Sequence, residues 1–422
     1  MAKIAHFAGI LPAATLAAGL VPTTAAAPQD WQIGAPIVTY WAGPELTDAV
    51  ARQMAEGGWN LVWCSEKTLD VAQRHGLRAL LQDGLLSVAT LRDPEKKAQL
   101  DALIARVKDH PALYAYFLGD EPNASAFPAL GNLVAYLRAR DPAHLAYLNL
   151  FPTYASNEQL GNQGDVVTAY QAHLRQYVGI VQPALISYDH YHFTSNGDGD
   201  QYFLNLGLIR QAALAAGVPF LNIVQACSWT PSMRVPNGDE LRWLTYTSLA
   251  YGAQGISHYV YCWPGHTGMI ANPDGTPTER YHAAKVHNRD FAAIAAQLQP
   301  LRSLGAYHLG NIPEGAQALP ADFPFTLDPP VPTVAYEPPK PIQGFCLGTF
   351  GPAGRAGQPG KPTHVVVVNL DYRQGTTTTL VGPGPLDVFD PTTGEWTRAS
   401  GRRAELRLPP GGGALVRLRP RR

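Results

Sequence analysis

The feature that most constrains the fold is an alternation, repeated eight times, between a short apolar run and a stretch of helical periodicity. The apolar runs lie at residues 37–41, 61–66, 77–81, 113–119, 145–151, 184–193, 219–229 and 255–263, and the third could resume at 86–90. The clearest helical stretches lie at residues 93–109, 126–140, 165–181, 202–216, 239–251 and 279–298. Because strands that alternate with helices pair in parallel, this pattern predicts an α/β protein with one parallel sheet.

Eight strand–helix repeats between residues 36 and 300 match the size of a (β/α)8 TIM barrel. The alternative is an open, doubly wound sheet that binds a nucleotide. That fold places a glycine-rich phosphate loop directly after its first strand, whereas residues 40–44 here read Tyr-Trp-Ala-Gly-Pro. The barrel is therefore the predicted architecture, and phosphate or nucleotide chemistry is not expected.

The residue pattern changes after residue 302, where the alternation of apolar runs and helical stretches stops. Residues 312–341 are rich in proline and predict irregular structure. Short β-type runs follow, at residues 344–350, 364–370, 376–381, 386–389, 395–398, 404–408 and 414–418. We expect the segment 303–422 to form a proline-rich linker and a small antiparallel β-sandwich, and the segment 28–302 to form the barrel.

The first 27 residues predict a secretory signal peptide. Lys3 precedes an apolar stretch at residues 7–21, and small residues follow at 23–27. An uncleaved anchor helix is the alternative, but the stretch contains Pro12 and is shorter than the ~20 residues that span a bilayer. The sequence therefore predicts export to the periplasm or the extracellular space, with no membrane span after cleavage.

Charge and cysteine content narrow the class of partner. With 32 Lys+Arg against 33 Asp+Glu, the net charge is -1, so the chain lacks the basic surplus that binding of nucleic acid requires. A small neutral ligand is the better expectation. Cys64, Cys227, Cys262 and Cys346 form no C-x-x-C pair. Export would permit oxidation, but spacing alone assigns no disulfide, and buried thiols are the simplest interpretation.

Residues that do chemistry on a TIM barrel project from the carboxyl ends of its strands. The ends of the predicted strands supply a set of polar and aromatic side chains: Tyr40, Glu66, Asp120, Glu121, Asn149, Asp189, Tyr191, Gln225, Trp229, Tyr261 and Trp263. Carboxylates framed by Tyr and Trp predict a sugar site, because aromatic rings stack on the C–H faces of a sugar while carboxylates and amides bind its hydroxyls.

The most informative segment is residues 116–123, which read Tyr-Phe-Leu-Gly-Asp-Glu-Pro-Asn. An acidic pair that ends an apolar strand loses hydration near the core, which is costly unless the carboxylates are paired or used. We therefore predict a functional role for Glu121. The alternative is that Asp120 caps the following helix and Glu121 is simply exposed.

With Glu121–Pro122 at the end of the fourth strand and Trp263 at the end of the eighth, the chain resembles the clan of retaining TIM-barrel glycoside hydrolases that includes the family 42 β-galactosidases. In that clan the fourth strand ends in Asn-Glu and the Glu is the acid/base. The resemblance implies that Glu121 is the proton donor and that Trp263 is the platform beneath the sugar. It also implies a C-terminal β domain of the kind that these enzymes carry.

The chain departs from that clan at two positions. Asp120 occupies the place of the Asn that would contact the sugar, and Gln225 occupies the end of the seventh strand, where the clan has its nucleophilic Glu. Because an amide is a poor nucleophile, the second carboxylate must come from elsewhere. Strand alternation puts Asp189 and Tyr191 on one face, so Asp189 is the first choice for nucleophile or base, ahead of Glu66 and Asp120.

Two interpretations of Asp189 stay open. Two carboxyls about 5 Å apart predict retention of configuration, and a separation of about 6.5–9.5 Å predicts inversion. Alternatively, Asp189 is a hydrogen-bonded carboxylate that orients a neighbouring side chain.

The sequence thus predicts an exported glycosidase that acts on a neutral oligo- or polysaccharide, without a cofactor. Tyr40, Tyr261 and Trp263 would form the sugar platform, and Trp229 would line outer subsites. The hydroxyl-binding residues would be Asp120, Asn149, Tyr191 and Gln225.

A non-catalytic carbohydrate-binding protein is the main rival. A metal-dependent hydrolase is a weaker one, because His190 and His192 are the only close ligand pair and no metal-binding motif occurs, so no metal site is predicted.

Overall fold

The computed structural model describes residues 36–354 and 360–420. The predicted signal peptide lies outside these residues. The eight strands of the main sheet are β1 (Ile37–Trp41), β2 (Leu61–Cys64), β3 (Arg78–Leu81), β4 (Leu113–Asp120), β5 (Leu145–Leu150), β6 (Ile186–His190), β7 (Phe220–Gln225) and β8 (Gly255–Tyr259), and a separate two-stranded hairpin, Phe193–Thr194 with Gly197–Asp198, follows β6. The α-helices are α1 (Asp48–Glu56), α2 (Leu69–Arg74), α3 (Pro94–Val107), α4 (Phe127–Arg140), α5 (Asn157–Leu160), α6 (Val166–Gln176), α7 (Tyr202–Ala216), α8 (Gly238–Tyr251) and α9 (Glu279–Leu298).

The eight strands form one parallel sheet in the order β1-β8-β7-β6-β5-β4-β3-β2. The two ends of this order meet, because the Asn60 N–H donates to the Val38 carbonyl at 2.9 Å and the Thr39 hydroxyl donates to the Leu61 carbonyl at 2.9 Å. The sheet therefore closes into the predicted (β/α)8 barrel. The run at residues 86–90 adds no strand, since it contains turns and leads into a short 3₁₀ helix, Thr90–Arg92.

Side chains alternate between the inside and the outside of the barrel along each strand. Leu61, Leu80, Tyr147, Leu221 and Ile223 fill the interior with other apolar residues. Intervening strand residues, such as Tyr40, Val62 and Tyr188, pack in the larger core that also contains the buried faces of the helices. This alternation decides which residues at the strand ends face the mouth of the barrel.

The C-terminal strands are β9 (Arg302–Gly310), β10 (Gln317–Ala318), β11 (Thr326–Asp328), β12 (Gly344–Gly351), β13 (His364–Asn369), β14 (Thr376–Val381), β15 (Leu386–Asp390), β16 (Glu395–Arg398), β17 (Arg403–Leu408) and β18 (Gly413–Leu418). They form a seven-stranded sheet, β10-β9-β12-β13-β18-β15-β16, and a three-stranded sheet, β11-β14-β17. Apart from the parallel β9–β10 pair, neighbouring strands are antiparallel. Leu327, Leu347, Val367, Leu380 and Leu406 from both sheets share one core, so this is the predicted antiparallel β domain.

The proline-rich segment at residues 312–341 is more ordered than predicted. It contains β10 and β11, and β11 pairs with β14 through Leu327 and Leu380. Pro329 follows β11 directly and Pro324 precedes it, so the prolines flank the strand and none removes a hydrogen bond from it.

Helix α8 joins the two parts of the chain. Its residues Glu240 and Leu241 are buried, and so are all those from Trp243 to Tyr251. A TIM-barrel helix ordinarily exposes its outer face to water. Here the β domain covers that face: a side chain at Gly348 would overlap the backbone of Ala250, and the Tyr251 hydroxyl lies 3.0 Å from His308 Nε2.

A cluster of polar and charged residues, here called the Arg234 cluster, also connects the barrel to the β domain. It consists of His192, Asp198, Arg234, Glu240 and Tyr372. Arg234 Nη2 lies 2.7 Å from Glu240 Oε1 and 3.6 Å from Asp198 Oδ1. The Tyr372 hydroxyl, from the β domain, lies 2.9 Å from each oxygen of Asp198, and His192 Nε2 lies 3.5 Å from Asp198 Oδ2. The cluster ties the chain between β6 and α7 to the β domain.

The described residues also bear on membrane insertion and on the cysteines. No helix among them is long and apolar enough to cross a membrane. All four cysteines are free thiols, and Cys64, Cys227 and Cys346 are buried.

Candidate active site

The acidic pair at the end of β4 adopts an unusual backbone conformation. The pairing of β4 with β5 shifts register between Phe117 and Gly119, and Glu121 has a φ of 44°, in the left-handed region. A non-glycine residue is uncommon there and needs support from its surroundings. The support is a hydrogen bond of 2.9 Å from the Glu121 N–H to the Asn149 carbonyl on β5. The bend places two consecutive acids at the carboxyl ends of the strands.

Asn149 links these acids to Asp189 on β6. Its Nδ2 donates to Asp120 Oδ1 at 3.0 Å and to Asp189 Oδ1 at 2.8 Å. The Ser187 hydroxyl donates to Asn149 Oδ1 at 3.1 Å and lies 2.7 Å from the Tyr147 hydroxyl, which fixes the orientation of the amide. The carboxyls of Asp189 and Glu121 are within hydrogen-bond reach of each other. We call Asp120, Glu121 and Asp189 the carboxyl cluster.

No ion pair is formed by the carboxyl cluster within the described part of the chain. Burial, followed by the charge of Asp120, raises the pKa of Glu121 to about 7. Burial and then the charge of Glu121 raise the pKa of Asp189 well above its usual range, and burial raises the pKa of Asp120. Two carboxyls that share a site cannot both ionise easily, so ionisation of either Glu121 or Asp189 makes ionisation of the other more costly.

An aromatic wall stands beside the carboxyl cluster. Tyr191 packs against Trp229 and Tyr259, with ring centroids 4.6 and 4.9 Å apart, and Trp229 lies 4.8 Å from Tyr259. His266 Nε2 lies 3.2 Å from the Tyr259 hydroxyl. Tyr191 follows Asp189 by two residues at the end of β6, and burial, with smaller contributions from the charges of Asp189 and Asp120, raises the pKa values of both Tyr191 and Tyr259. The predicted residues Asp120, Glu121, Asn149, Asp189, Tyr191 and Trp229 are thus brought together.

Tyr40 and Tyr261 do not belong to this site, and their prediction as sugar platform is wrong. They are 1% and 0% exposed, and their rings pack against each other at 5.2 Å in the core between barrel and helices. The Tyr261 hydroxyl donates to Gln53 Oε1 on α1 at 2.6 Å. Tyr40 is in the wrong phase of its strand, because its neighbour Trp41 is the residue that faces the barrel interior. Tyr261 lies beyond the end of β8, whose last residue, Tyr259, packs against the interior.

Gln225 also has a structural role instead of the predicted contact with substrate. It is fully buried, its Oε1 accepts from the Phe193 N–H at 2.8 Å, and its Nε2 donates to the carbonyls of Phe193 at 2.9 Å and Arg234 at 2.8 Å. These bonds hold the segments that follow β6 and β7. The side chain has no free hydrogen-bonding group to offer to a sugar.

Glu66 is likewise misassigned as a substrate-binding residue. It begins a 3₁₀ helix after β2 and forms a two-pronged ion pair with Arg106 on α3, at 2.6 and 2.9 Å. The hydrogen bonds from Arg106 lower its pKa. Glu66 is therefore neutralised by a neighbouring helix, and none of its described contacts is to the carboxyl cluster.

Trp263, the predicted platform, lies in the loop after β8 and is 49% exposed. Its backbone N–H donates to Met269 Sδ, which anchors the loop and leaves the indole free. Its role as the platform stays a prediction.

Sequence reasoning missed several aromatic residues of the barrel mouth. Trp41, Trp63 and Phe117 pack together, with centroid distances of 4.8–5.7 Å. Tyr154, in the loop after β5, is 46% exposed, accepts from the Tyr191 N–H at 3.4 Å, and lies near enough to Asp189 and Glu121 for their charges to raise its pKa. The phase of Ile37 and Leu61, both buried in the barrel interior, could have identified Trp41 and Trp63.

The residues that could bind a metal are not grouped. No set of three His, Cys, Asp or Glu side chains with metal-binding geometry occurs among residues 36–354 and 360–420. His190 and His192 point away from the carboxyl cluster: His190 Nδ1 lies 2.9 Å from Asn205 Oδ1, and His192 stacks on Trp243 with centroids 4.8 Å apart.

Comparison with known proteins gives only distant similarities. No family profile matches the chain, and no curated protein matches it. A β-L-arabinopyranosidase structure from Geobacillus stearothermophilus is 9% identical, with 92% of this chain and 97% of that chain covered and a TM-score of 0.46. A β-galactosidase from the psychrophilic Marinomonas ef1 is 11% identical, with coverage of 65% and 62% and a TM-score of 0.44. A family 5 glycoside hydrolase, a mannosidase from Rhizomucor miehei, is 13% identical, with coverage of 60% and 88% and a TM-score of 0.39. Similarity this low assigns no function, which has to be argued from the site itself.

Proposed function

We propose that the protein is an exported glycosidase that hydrolyses a neutral oligo- or polysaccharide, with Glu121 as the general acid. The observation that carries the proposal is the carboxyl cluster beside an aromatic wall at the mouth of a TIM barrel. Glycoside hydrolysis needs a pair of carboxyls, one of which is protonated at working pH. A resemblance to the family 42 clan fits the position of Glu121 but not the amide at Gln225.

Each part of the site has a task in this reaction. Glu121, with its pKa raised to about 7, can give a proton to the leaving glycosidic oxygen at mildly acidic or neutral pH. Tyr191, Trp229 and Tyr259 offer ring faces and hydroxyls to a sugar ring. Asp120 and Asp189 are the two side chains able to act as the second carboxylate. No Lys or Arg forms an ion pair with the carboxyl cluster among the described residues. This favours an uncharged glycan over a uronate or a sulfated one.

The proposal is tested with a panel of neutral oligosaccharides and 4-nitrophenyl glycosides, with the product anomer followed by NMR. We expect hydrolysis of at least one member, and kcat/KM should fall as the pH rises through about 7, where Glu121 loses its proton. A rate that rises above pH 7 contradicts Glu121 as the acid.

A non-catalytic carbohydrate-binding protein is the second candidate, and the buried, structural Gln225 at the end of β7 favours it. Binding of a glycan from the panel without release of any product would select this candidate. Activity that a chelator abolishes would instead point to a metal-dependent hydrolase.

A further inference from the structure

We propose that Asp189 is a positioning residue that holds the carboxyl of Glu121, and that Asp120 is the second carboxylate that faces the substrate. This inference rests on the proposed glycosidase function and deepens it. It replaces the sequence-based choice of Asp189 as nucleophile or base.

Access to the sugar distinguishes the two aspartates. Asp189 is only 2% exposed, whereas Asp120, although its carboxyl is partly desolvated where it accepts from Asn149, keeps an exposed surface at the end of β4. A nucleophile or base has to approach the reacting atom to about 3–3.5 Å. A side chain sealed beneath its neighbours cannot make that approach, while one that is open to solvent can.

The contacts of Asp189 are those of a supporting side chain. One of its oxygens accepts from Asn149 Nδ2 at 2.8 Å, and its carboxyl is near enough to Glu121 for each group to affect the pKa of the other. A nucleophile or base has to stand about 5 Å or 6.5–9.5 Å from the acid, with the sugar or a water between them. Asp189 is instead buried against Asn149, next to the acid that it would hold in place.

The support of the pair is rigid. Tyr147, Ser187 and Asn149 form a chain of hydrogen bonds of 2.7 and 3.1 Å that orients Asn149 toward both aspartates. The titratable side chains around the Glu121–Asp189 pair are Asp120, Tyr147, Tyr154, Tyr170, Tyr188, Tyr191 and Tyr259. Burial raises the pKa values of these tyrosines above their usual range, so they stay neutral while the carboxyls titrate.

The test compares Asp189→Asn with Asp189→Ala in the full-length protein, on the glycoside that the panel identifies. The Asn amide still donates to Glu121, so we expect kcat to stay within about tenfold of wild type and the alkaline limb of kcat/KM to move to lower pH. The shift is downward because a permanent donor stabilises the Glu121 carboxylate. Asp189→Ala should be at least tenfold slower than Asp189→Asn, and Asp120→Asn should lose activity by a factor of 10² or more.

A loss of 10³-fold or more in Asp189→Asn, with azide restoring the rate of Asp189→Ala, would identify Asp189 as the nucleophile and overturn the inference alone. Wild-type protein that hydrolyses nothing in the panel contradicts the proposed function instead. A titration of the ¹³C-labelled carboxyls needs no substrate and tests the positioning of Glu121 by Asp189 in either case. The midpoint of Glu121 should fall in Asp189→Asn, and an unchanged midpoint overturns the positioning role.

Discussion

Two groups of acidic side chains near the same strand ends are held in opposite electrostatic environments. In the Arg234 cluster, burial opposes ionisation of Asp198, but the nearby His192, the Tyr372 hydroxyl and the charge of Arg234 outweigh it and lower its pKa. In the carboxyl cluster, burial and mutual repulsion raise the pKa values of Glu121 and Asp189. The difference separates an acid whose charge is stabilised by its neighbours from acids whose ionisation is opposed, as the proposed function requires of Glu121.

The largest expected effect breaks the carboxyl cluster. Glu121→Gln keeps the shape of the side chain but cannot donate a carboxylic proton, so kcat should fall by about 10²–10⁴-fold. Because the variant removes a carboxyl that is costly to ionise, its stability should match or exceed that of wild type. Steady-state kinetics and urea unfolding measure the two quantities. Turnover close to wild type would remove Glu121 from the reaction.

The next effect breaks the Arg234 cluster. Arg234→Ala leaves Asp198 and Glu240 buried without their cation, whose side chain is itself 32% exposed, so we expect a loss of about 2–4 kcal/mol in the free energy of unfolding. Arg403→Ala is the matched control: it removes the exposed partner of Asp328 and should cost less than about 1 kcal/mol. Equal losses in the two variants would mean that the Arg234 cluster stabilises the fold no more than an exposed ion pair does.

The pH dependence of stability should differ in sign between the clusters. The folded-state pKa values of Glu121 and Asp189 are raised, so their contribution is full below their ordinary pKa and is lost as the pH rises, through about 7 for Glu121. The lowered pKa of Asp198 acts in the opposite way, and its contribution is lost as the pH falls below its ordinary value. The Tm of Glu121→Gln minus that of wild type should therefore increase from pH 4.5 to 7.5, and a constant difference would contradict the raised pKa.

The smallest effect is expected at Glu66, whose partner is Arg106 on the surface of the barrel. Glu66→Gln should change kcat/KM by less than about twofold and stability by less than about 1 kcal/mol. This variant is also the matched Glu-to-Gln control for Glu121. A large loss of activity would restore Glu66 to the site.

The sequence predicted the barrel because eight apolar runs and their helices are local patterns, and the helices at residues 202–216 and 279–298 have the predicted bounds. It also predicted the acids, since Asp120 and Glu121 follow an apolar strand directly. It chose Tyr40 over Trp41 because the end of β1 was read without fixing the inward phase, and a shift of one residue reverses the face. It chose Tyr261 over Tyr259 because the predicted strand ran to residue 263, whereas β8 ends at Tyr259. The roles of Gln225 and Glu66 depend on Arg234 and Arg106, partners that only the folded chain brings near.

Helix α8 makes the β domain a structural part of the barrel and not an appended module. This helix is buried along nearly its whole length, because the β domain covers the outer face that water would contact on an ordinary barrel helix. A chain that stopped at residue 302 would leave the surroundings of Trp243 and Ala250 bare and prone to association with other chains. The barrel and the β domain should therefore unfold in one transition.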